Sequence, residues 1–236
     1  MKDFFSFERF AGNLPLIFQK IPVTLSIVLA SMSAGLLLGI CAALIRLYRT
    51  PALYQIISAG VSFLRCTPVI AQLFVVYFGV PYLLSKAGIN AQRWHKFIFV
   101  NVTYALNAGA FISEIIRASI LSVDPGQREA ALSCGLTDFQ AFRRIVAPQA
   151  ALVAAPGFSA NVLALLQNTS LGFTIGAVEI VGQVRLIAVR THHAIEGYAA
   201  AALIFVVLSF IISFLFSLLE KNIKQKINGG AAPGQR

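Results

Sequence analysis

The stretch Gly197–Leu219, GYAAAALIFVVLSFIISFLFSLL, carries no charge and is bounded by Glu196 and Glu220. A bilayer core takes roughly 20 apolar residues in one helix, so this segment predicts a membrane-spanning helix. Working outward, the pattern recurs. Ile21–Ile45 lies uncharged between Lys20 and Arg46. It is too long for a signal-peptide core and no cleavage site follows it, so it reads as a retained span. Phe97 to about Ser119 forms another, with Glu114 and Arg117 near its end, and Gln149 to about Leu171 a further one with Pro156 inside it. The remaining apolar region begins after Pro51, runs to about Leu84 and is interrupted by Arg65-Cys66-Thr67-Pro68. A proline and a charge at membrane depth predict a broken helix whose freed backbone groups face protein or water.

Composition agrees with this reading. Hydrophobic residues make up 58% of the 236 and charged residues 12%, against roughly a quarter charged in a soluble domain. So few charges exclude a soluble enzyme, and the apolar content excludes disorder. The net charge of +10 does not mark a nucleic-acid binder, because the basic residues separate apolar runs instead of clustering on one face. Cys41, Cys66 and Cys134 are far apart and form no CxxC or Cys/His cluster, so they read as small apolar residues. The fold class is therefore all-α integral membrane with five transmembrane helices. An N-terminal segment (1–20) precedes the transmembrane domain (21–220), and a basic, disordered tail (221–236) follows it.

Five spans put the termini on opposite sides. With the C-terminus inside, ten Lys and Arg fall in cytoplasmic segments and eight in outer ones, with Arg65 left in the membrane. The excess of cytoplasmic basic residues favours N-terminus out and C-terminus in.

Between the third and fourth spans, Ser122 to Gln140 reads as two short helices. Asp124 is an N-cap with Pro125 in the first helical position and Gln127 where a capping box wants its partner. Gly135 suits the left-handed conformation that ends a helix. Thr137 then caps the next helix with Gln140 three residues on. Such a unit reads either as a docking element or as a well-capped connection.

Glu129-Ala130-Ala131, then Gly135, then Ile145-Val146-Ala147-Pro148 resembles the EAA loop of ATP-binding-cassette (ABC) importer permeases, with Ala147 where a leucine is usual. Arg65-Cys66-Thr67-Pro68 resembles the Arg-Gly-Thr-Pro element of the polar amino-acid (histidine/glutamine/cystine-type) branch, cysteine replacing glycine. Ser113-Glu114-Ile115-Ile116-Arg117, Pro148-Gln149-Ala150 and Asn168-Thr169-Ser170-Leu171 are similar to that branch as well. The resemblance covers about residues 20 to 220, in order.

It implies a type I importer permease whose coupling loop, about 124–148, sits in a groove of a separate ATPase. In that reading Gly135 makes the turn, Glu129 gives a polar contact, Ala130 and Ala131 keep the helix thin, and Arg128 and Phe139 are neighbours at the docking surface. The chain has no Gly-x-x-x-x-Gly-Lys-Ser/Thr segment to cradle ATP phosphates. It is thus expected to bind no cofactor, ATP and Mg belonging to the partner, and to be no enzyme. The implied partners are a second permease subunit (homodimer or paralogous heterodimer), two ATP-binding subunits and an extracytoplasmic solute-binding protein, in a bacterial inner membrane.

For the substrate path the candidates are Arg65, Thr67, Gln167, Asn168, Thr169 and Ser170. Arg65 at the helix break reads either as a cation for a substrate carboxylate or gate, or as the ion-pair partner of Glu114. Glu114 and Arg117 stand at i, i+3, the spacing of a structural pair. Four hydrogen-bonding side chains at 167–170 cannot all face lipid, so they line a path or bond between helices. Related permeases often carry lysine and an acidic or polar residue at the first two of these places. Two neutral amides here suit a zwitterion, and Gly172–Ile180 resembles cystine-type importers, so cystine or a related neutral amino acid is the expected solute. His192-His193 lacks further ligands at metal spacing and reads as a solvated pair. An intramembrane enzyme would need Glu114 and Glu179 as a pair, and they are far apart in sequence. An ATP-independent carrier or channel would show inverted repeats or ion-coordinating carboxylates, and neither is seen.

Overall fold

The computed structural model describes residues 5–229, with side chains as far as Gln225. Every regular element among them is helical. Five helices are long and apolar enough to cross a membrane: Ile21–Leu47, Val69–Lys86, Lys96–Leu121, Asp138–Ile175 and Ile195–Gln225.

Helix α1 (Phe7–Phe18) precedes α2 (Ile21–Leu47). Helix α3 (Leu53–Cys66) stops at the predicted break, and α4 (Val69–Phe74), a π-helical turn (Val75–Gly79) and α5 (Val80–Lys86) complete the second span. Thr67 and Pro68 are extended there (ψ 143° and 134°), because a proline ring disfavours the helical conformation of the residue before it. Gln72 Nε2 donates to Leu64 O (2.8 Å), Thr67 O (3.1 Å) and Thr67 Oγ1 (2.8 Å), and Asn107 Nδ2 donates to Leu64 O (3.2 Å) and Gln72 Oε1 (3.2 Å). Two amides therefore satisfy the carbonyls that the break frees, as a dry environment demands.

Helices α2 and α6 (Lys96–Leu121) run parallel in close contact, from the Ser31–Asn101 hydrogen bond (3.1 Å) to Arg46 and Ser113 (3.3 Å). A Cβ on Gly39 would lie 2.6 Å from Ile112 Cγ2, and one on Gly35 would lie 3.0 Å from Ala105 O. The small residues foreseen in the first span are what lets the backbones approach. Helix α7 (Pro125–Ser133), α8 (Asp138–Ala141) and a π-turn (Phe142–Val146) lead into α9 (Ala147–Asn168), which passes through Pro156 without a break. A 3₁₀ turn (Thr169–Ile175), α10 (Ile180–Thr191) and α11 (Ile195–Gly229) follow.

Helices α6, α9 and α11 pack together, with Tyr104, Leu165, Leu166, Ile180 and Ala200 in one buried core. At the end of the bundle opposite α7, Arg9 of α1 pairs with the buried Glu196 (2.8 Å), which also accepts from Ser6 N (3.0 Å). Helix α11 continues through the basic stretch at 221–226 to Gly229. Lysine, glutamate and glutamine are good helix formers, so the helix extends into the segment expected to be tail. Residues 230–236 of that tail, and residues 1–4, lie outside the described residues.

Gly39→Ala should lower the melting temperature of the purified protein by several degrees. The added methyl meets Ile112, and overpacking costs about 1–3 kcal/mol. Gly12→Ala, where nothing lies within 4 Å, should leave it unchanged or raise it. Parallel thermal melts in detergent give the comparison.

Candidate functional site

The loop between α6 and α9 is a compact helix pair. Asp124 caps α7 by accepting from Gly126 N (2.9 Å), one position earlier than the Gln127 box would place it. At the other end of α7, Gly135 takes φ 82°, with Gly135 N bonded to Leu132 O (2.9 Å) and Leu136 N to Ala131 O (3.2 Å). These two bonds are the Schellman closure that a left-handed glycine makes possible. Thr137 and Gln140 form a reciprocal capping box (3.3 and 3.0 Å). An Arg128–Asp138 ion pair ties α7 to α8, so Arg128, read in the sequence as a docking neighbour, also holds the pair together.

The two alanines divide their roles. Ala131 is buried against the loop's own helices, whereas Ala130 is exposed. Glu129 is exposed, and Phe139 is 69% exposed at the far side of the turn. A polar and an aromatic side chain thus stand on a rigid, well-capped projection.

A second feature lies inside the bundle. A cavity of about 440 Å³ runs along α6 from Tyr104 to Ile115 and is walled opposite by α9. Its polar lining is Tyr104, Asn107, Asn161 and Asn168, with Phe111 toward the loop end. Tyr104 Oη donates to Asn168 O (2.6 Å). Asn161 Oδ1 is buried with no donor in reach among the described residues. None of the side chains lining the cavity is charged.

Of the predicted path residues, one, Asn168, lines this cavity. Thr67, at the break, accepts from Gln72 and donates to Phe63 O (2.8 Å). Thr169 is buried and bonds Leu166 O (2.6 Å). Gln167 and Ser170 line a separate pocket toward α11, because consecutive helical residues point about 100° apart. Arg65 lies 3.7 Å from Glu114 and its guanidinium sits over the Phe111 ring. Glu114 also pairs with Arg117, as the i, i+3 spacing foresaw, and with Arg46 (2.8 Å). Sequence reasoning missed Arg46, which stood at a span boundary, and the cavity amides Asn107 and Asn161, which were visible as polar residues inside spans.

Glu179 is buried (0% exposed) at the start of α10, where its carboxyl accepts from Val181 N (3.0 Å) and Gly182 N (2.8 Å). It is a helix cap and has no second carboxylate beside it; Glu114 is held by arginines. Neither has the partner an intramembrane enzyme would need. His193 faces Arg9 (3.3 Å).

An all-helical, multi-span bundle with a half-open cavity that carries uncharged polar groups, and a well-capped helix pair between two spans, suits a membrane transport subunit. The chain belongs to the family of binding-protein-dependent transport system inner membrane components, whose model matches residues 35–225; it is an ABC importer permease of the amino-acid kind, a transport subunit and not a catalytic one. It is 37% identical over 225 residues to the L-cystine transport system permease protein TcyL of Bacillus subtilis (strain 168), covering 95% of this chain and 94% of the relative. The glutamine transport system permease protein GlnP of Escherichia coli (strain K12) is 28% identical, over 89% of this chain and 94% of its own length. A solved amino acid ABC transporter with histidines superposes with a TM-score of 0.82 at 29% identity, over 92% of this chain and 99% of that one.

Burial pushes the Glu179 carboxyl from its ordinary 4.5 up to about 7, against the opposing pull of the Val181, Gly182 and Ile180 N–H groups. A raised carboxyl means that the fold favours the neutral form. Its contribution is therefore present below pH 4.5 and is lost as pH rises through about 7. Wild-type melting temperature should fall as pH rises from 4.5 to about 7 and level off above that, whereas Glu179→Gln should flatten that slope; melts at a series of pH values check this.

Proposed function

We propose that this chain is the translocating subunit of an ATP-driven importer for a neutral polar amino acid, cystine or a close relative. The observation that carries the ATP-driven part is the helix pair at 124–148. Its Schellman turn at Gly135, its capping box and the Arg128–Asp138 tie make it stiff enough to transmit a push from an ATPase. Glu129, Ala130 and Phe139 form the outward face of that contact, with Arg128, Ala131 and Gly135 holding its shape. ATP and Mg reside on the partner.

The amide-lined cavity supports the cargo class. Hydrogen-bonding groups without a charge among them accommodate a zwitterion better than a net anion or cation. Asn168 contacts the cargo in this reading. Arg65 and Thr67 stand at the helix break beside the path, Gln167 and Ser170 serve a neighbouring stretch of it in the pocket toward α11, and the buried Thr169 supports the turn between them. The L-cystine system permease relative points the same way.

The chain works as a dimer with a second copy or a paralogue, because five helices enclose too little for a path gated on both faces. Two ATPases dock on the two loops, and a solute-binding protein docks at the opposite end of the bundle. The N-terminus is outside and the loop and C-terminus are cytoplasmic. ATP binding then shifts the dimer between outward and inward openings.

The test is co-purification of the tagged chain from its native membrane beside Gly135→Asp, which places a side chain at φ 82°. An ATPase should accompany the wild type and be lost or weakened in the variant. Absence of any ATPase from an intact membrane complex would leave an ATP-independent carrier or channel as the better reading. Uptake by the reconstituted complex of labelled L-cystine, L-glutamine and L-histidine identifies the cargo, L-cystine being expected to lead.

A further inference from the structure

Three guanidinium groups converge on one carboxylate inside the bundle. Glu114 accepts from Arg46 (2.8 Å) and Arg117, and Arg65 lies 3.7 Å away. Arg46 and Arg117 stand on helices that span the membrane, and Arg65 stands at the helix break. Of the other described acids, Asp124 caps α7, Asp138 pairs with Arg128, Glu179 caps α10 and Glu196 pairs with Arg9. Among the described residues Glu114 is thus the only carboxylate paired with the three, and two positive charges are left over.

Unbalanced charge at the edge of a membrane is costly and marks a functional site unless the side chains turn out to the interface. Arg46 and Arg117 lie near helix ends, yet both turn inward onto Glu114. Arg46 is 12% exposed in its side chain, and its Nε is buried with no acceptor in reach among the described residues. The cluster is short of anionic acceptors.

Its position says which anion. Glu114 lies on α6 between Phe111 and Ile115, and both of these line the loop end of the cavity. The Arg65 guanidinium sits 5.6 Å from the Phe111 ring centroid, at the rim of the same cavity. It is the most loosely held member, with the longest of the contacts to Glu114 and 39% of its side chain exposed. A solute moving from Asn168 toward the loop end passes an uncharged lining and reaches the Arg65 guanidinium beside Phe111. The planar guanidinium fork matches a carboxylate, the one anionic group that every amino acid carries.

We propose that Arg46, Arg65 and Arg117 form a carboxylate-binding station at the loop end of the cavity, held by Glu114 in this conformation and open to the α-carboxylate of the transported amino acid through Arg65. The station rests on the reading that an amino acid passes through this cavity. Glu114 acts as a resident counter-ion that keeps the arginines in place between transport events. The incoming carboxylate supplies the negative charge that the cluster lacks, so it draws the solute toward the loop end without a permanent tight site.

The test uses the complete importer, permease with its ATPase and binding protein, in proteoliposomes. The probe is whichever of labelled L-cystine, L-glutamine and L-histidine the wild type takes up fastest. Arg65→Gln should cut uptake about tenfold or more, the loss of a charge-assisted hydrogen bond. The double variant Arg65→Gln/Glu114→Gln restores the wild-type net charge and should stay equally slow. Recovery of the double variant to near the wild-type rate, or a normal rate in Arg65→Gln alone, overturns the station and leaves a structural ion pair. Should Arg65→Gln fail to assemble, Arg65→Lys decides: it keeps the charge but loses the fork, so slowed uptake with normal assembly supports the station and wild-type uptake overturns it. Wild-type uptake that depends on phosphatidylglycerol in the vesicles, with the dependence lost in Arg65→Gln, assigns the cluster to lipid phosphate and overturns it as well. Wild-type vesicles that take up none of the three amino acids overturn the cargo reading itself, and the station with it.

Discussion

The close approach of α2 to α6 governs the rest of the bundle. At Gly39 a Cβ would collide with Ile112, and at Gly35 and Gly109 it would press tightly on Ala105 O and Gly35 O. In lipid no hydrophobic force drives helices together, so association relies on packing and on hydrogen bonds between helices. Small residues permit both. The contact sets the register that joins Ser31 to Asn101 at one level and Arg46 to Ser113 and Glu114 at another. The other side of α6 carries the cavity residues: Tyr104 reaches Asn168 of α9, Asn107 reaches Leu64 and Gln72 at the break, and Phe111 lies under Arg65.

The helix break at Thr67–Pro68 shows how a local fault becomes a feature. Proline forces the preceding residue out of the helix, and the exposed carbonyls must find donors because the surroundings supply no water. Gln72 reaches back from the next turn, and Asn107 reaches across from α6. Asn107 therefore does two things at once, closing the break and contributing to the cavity wall. Arg65, in the last turn before the break, lies over Phe111 of the cavity wall.

At the loop, most of the structure is determined within the segment itself. Asp124, Gly135, Thr137 and Gln140 each satisfy backbone groups that a helix end leaves open, and Arg128 ties the two short helices together. These contacts all lie within the segment and close its helix ends locally.

The sequence by itself determined the class and the local elements. Charge-free runs located the spans, since hydrocarbon tolerates little else. Proline and the caps located the break and the helix pair, since those rules act over three or four residues. The i, i+3 pairing of Glu114 with Arg117 was legible for the same reason. The boundary residue Arg46, the cavity amides Asn107 and Asn161, and the separation of Asn168 from Gln167 and Ser170 were not. Each depends on how one helix is rotated against another, and several faces of an apolar helix suit lipid and protein equally well. Only the tertiary packing at the α2–α6 glycines and against α9 chooses the face. That choice gathers three arginines, from α2, α3 and α6, around one carboxylate.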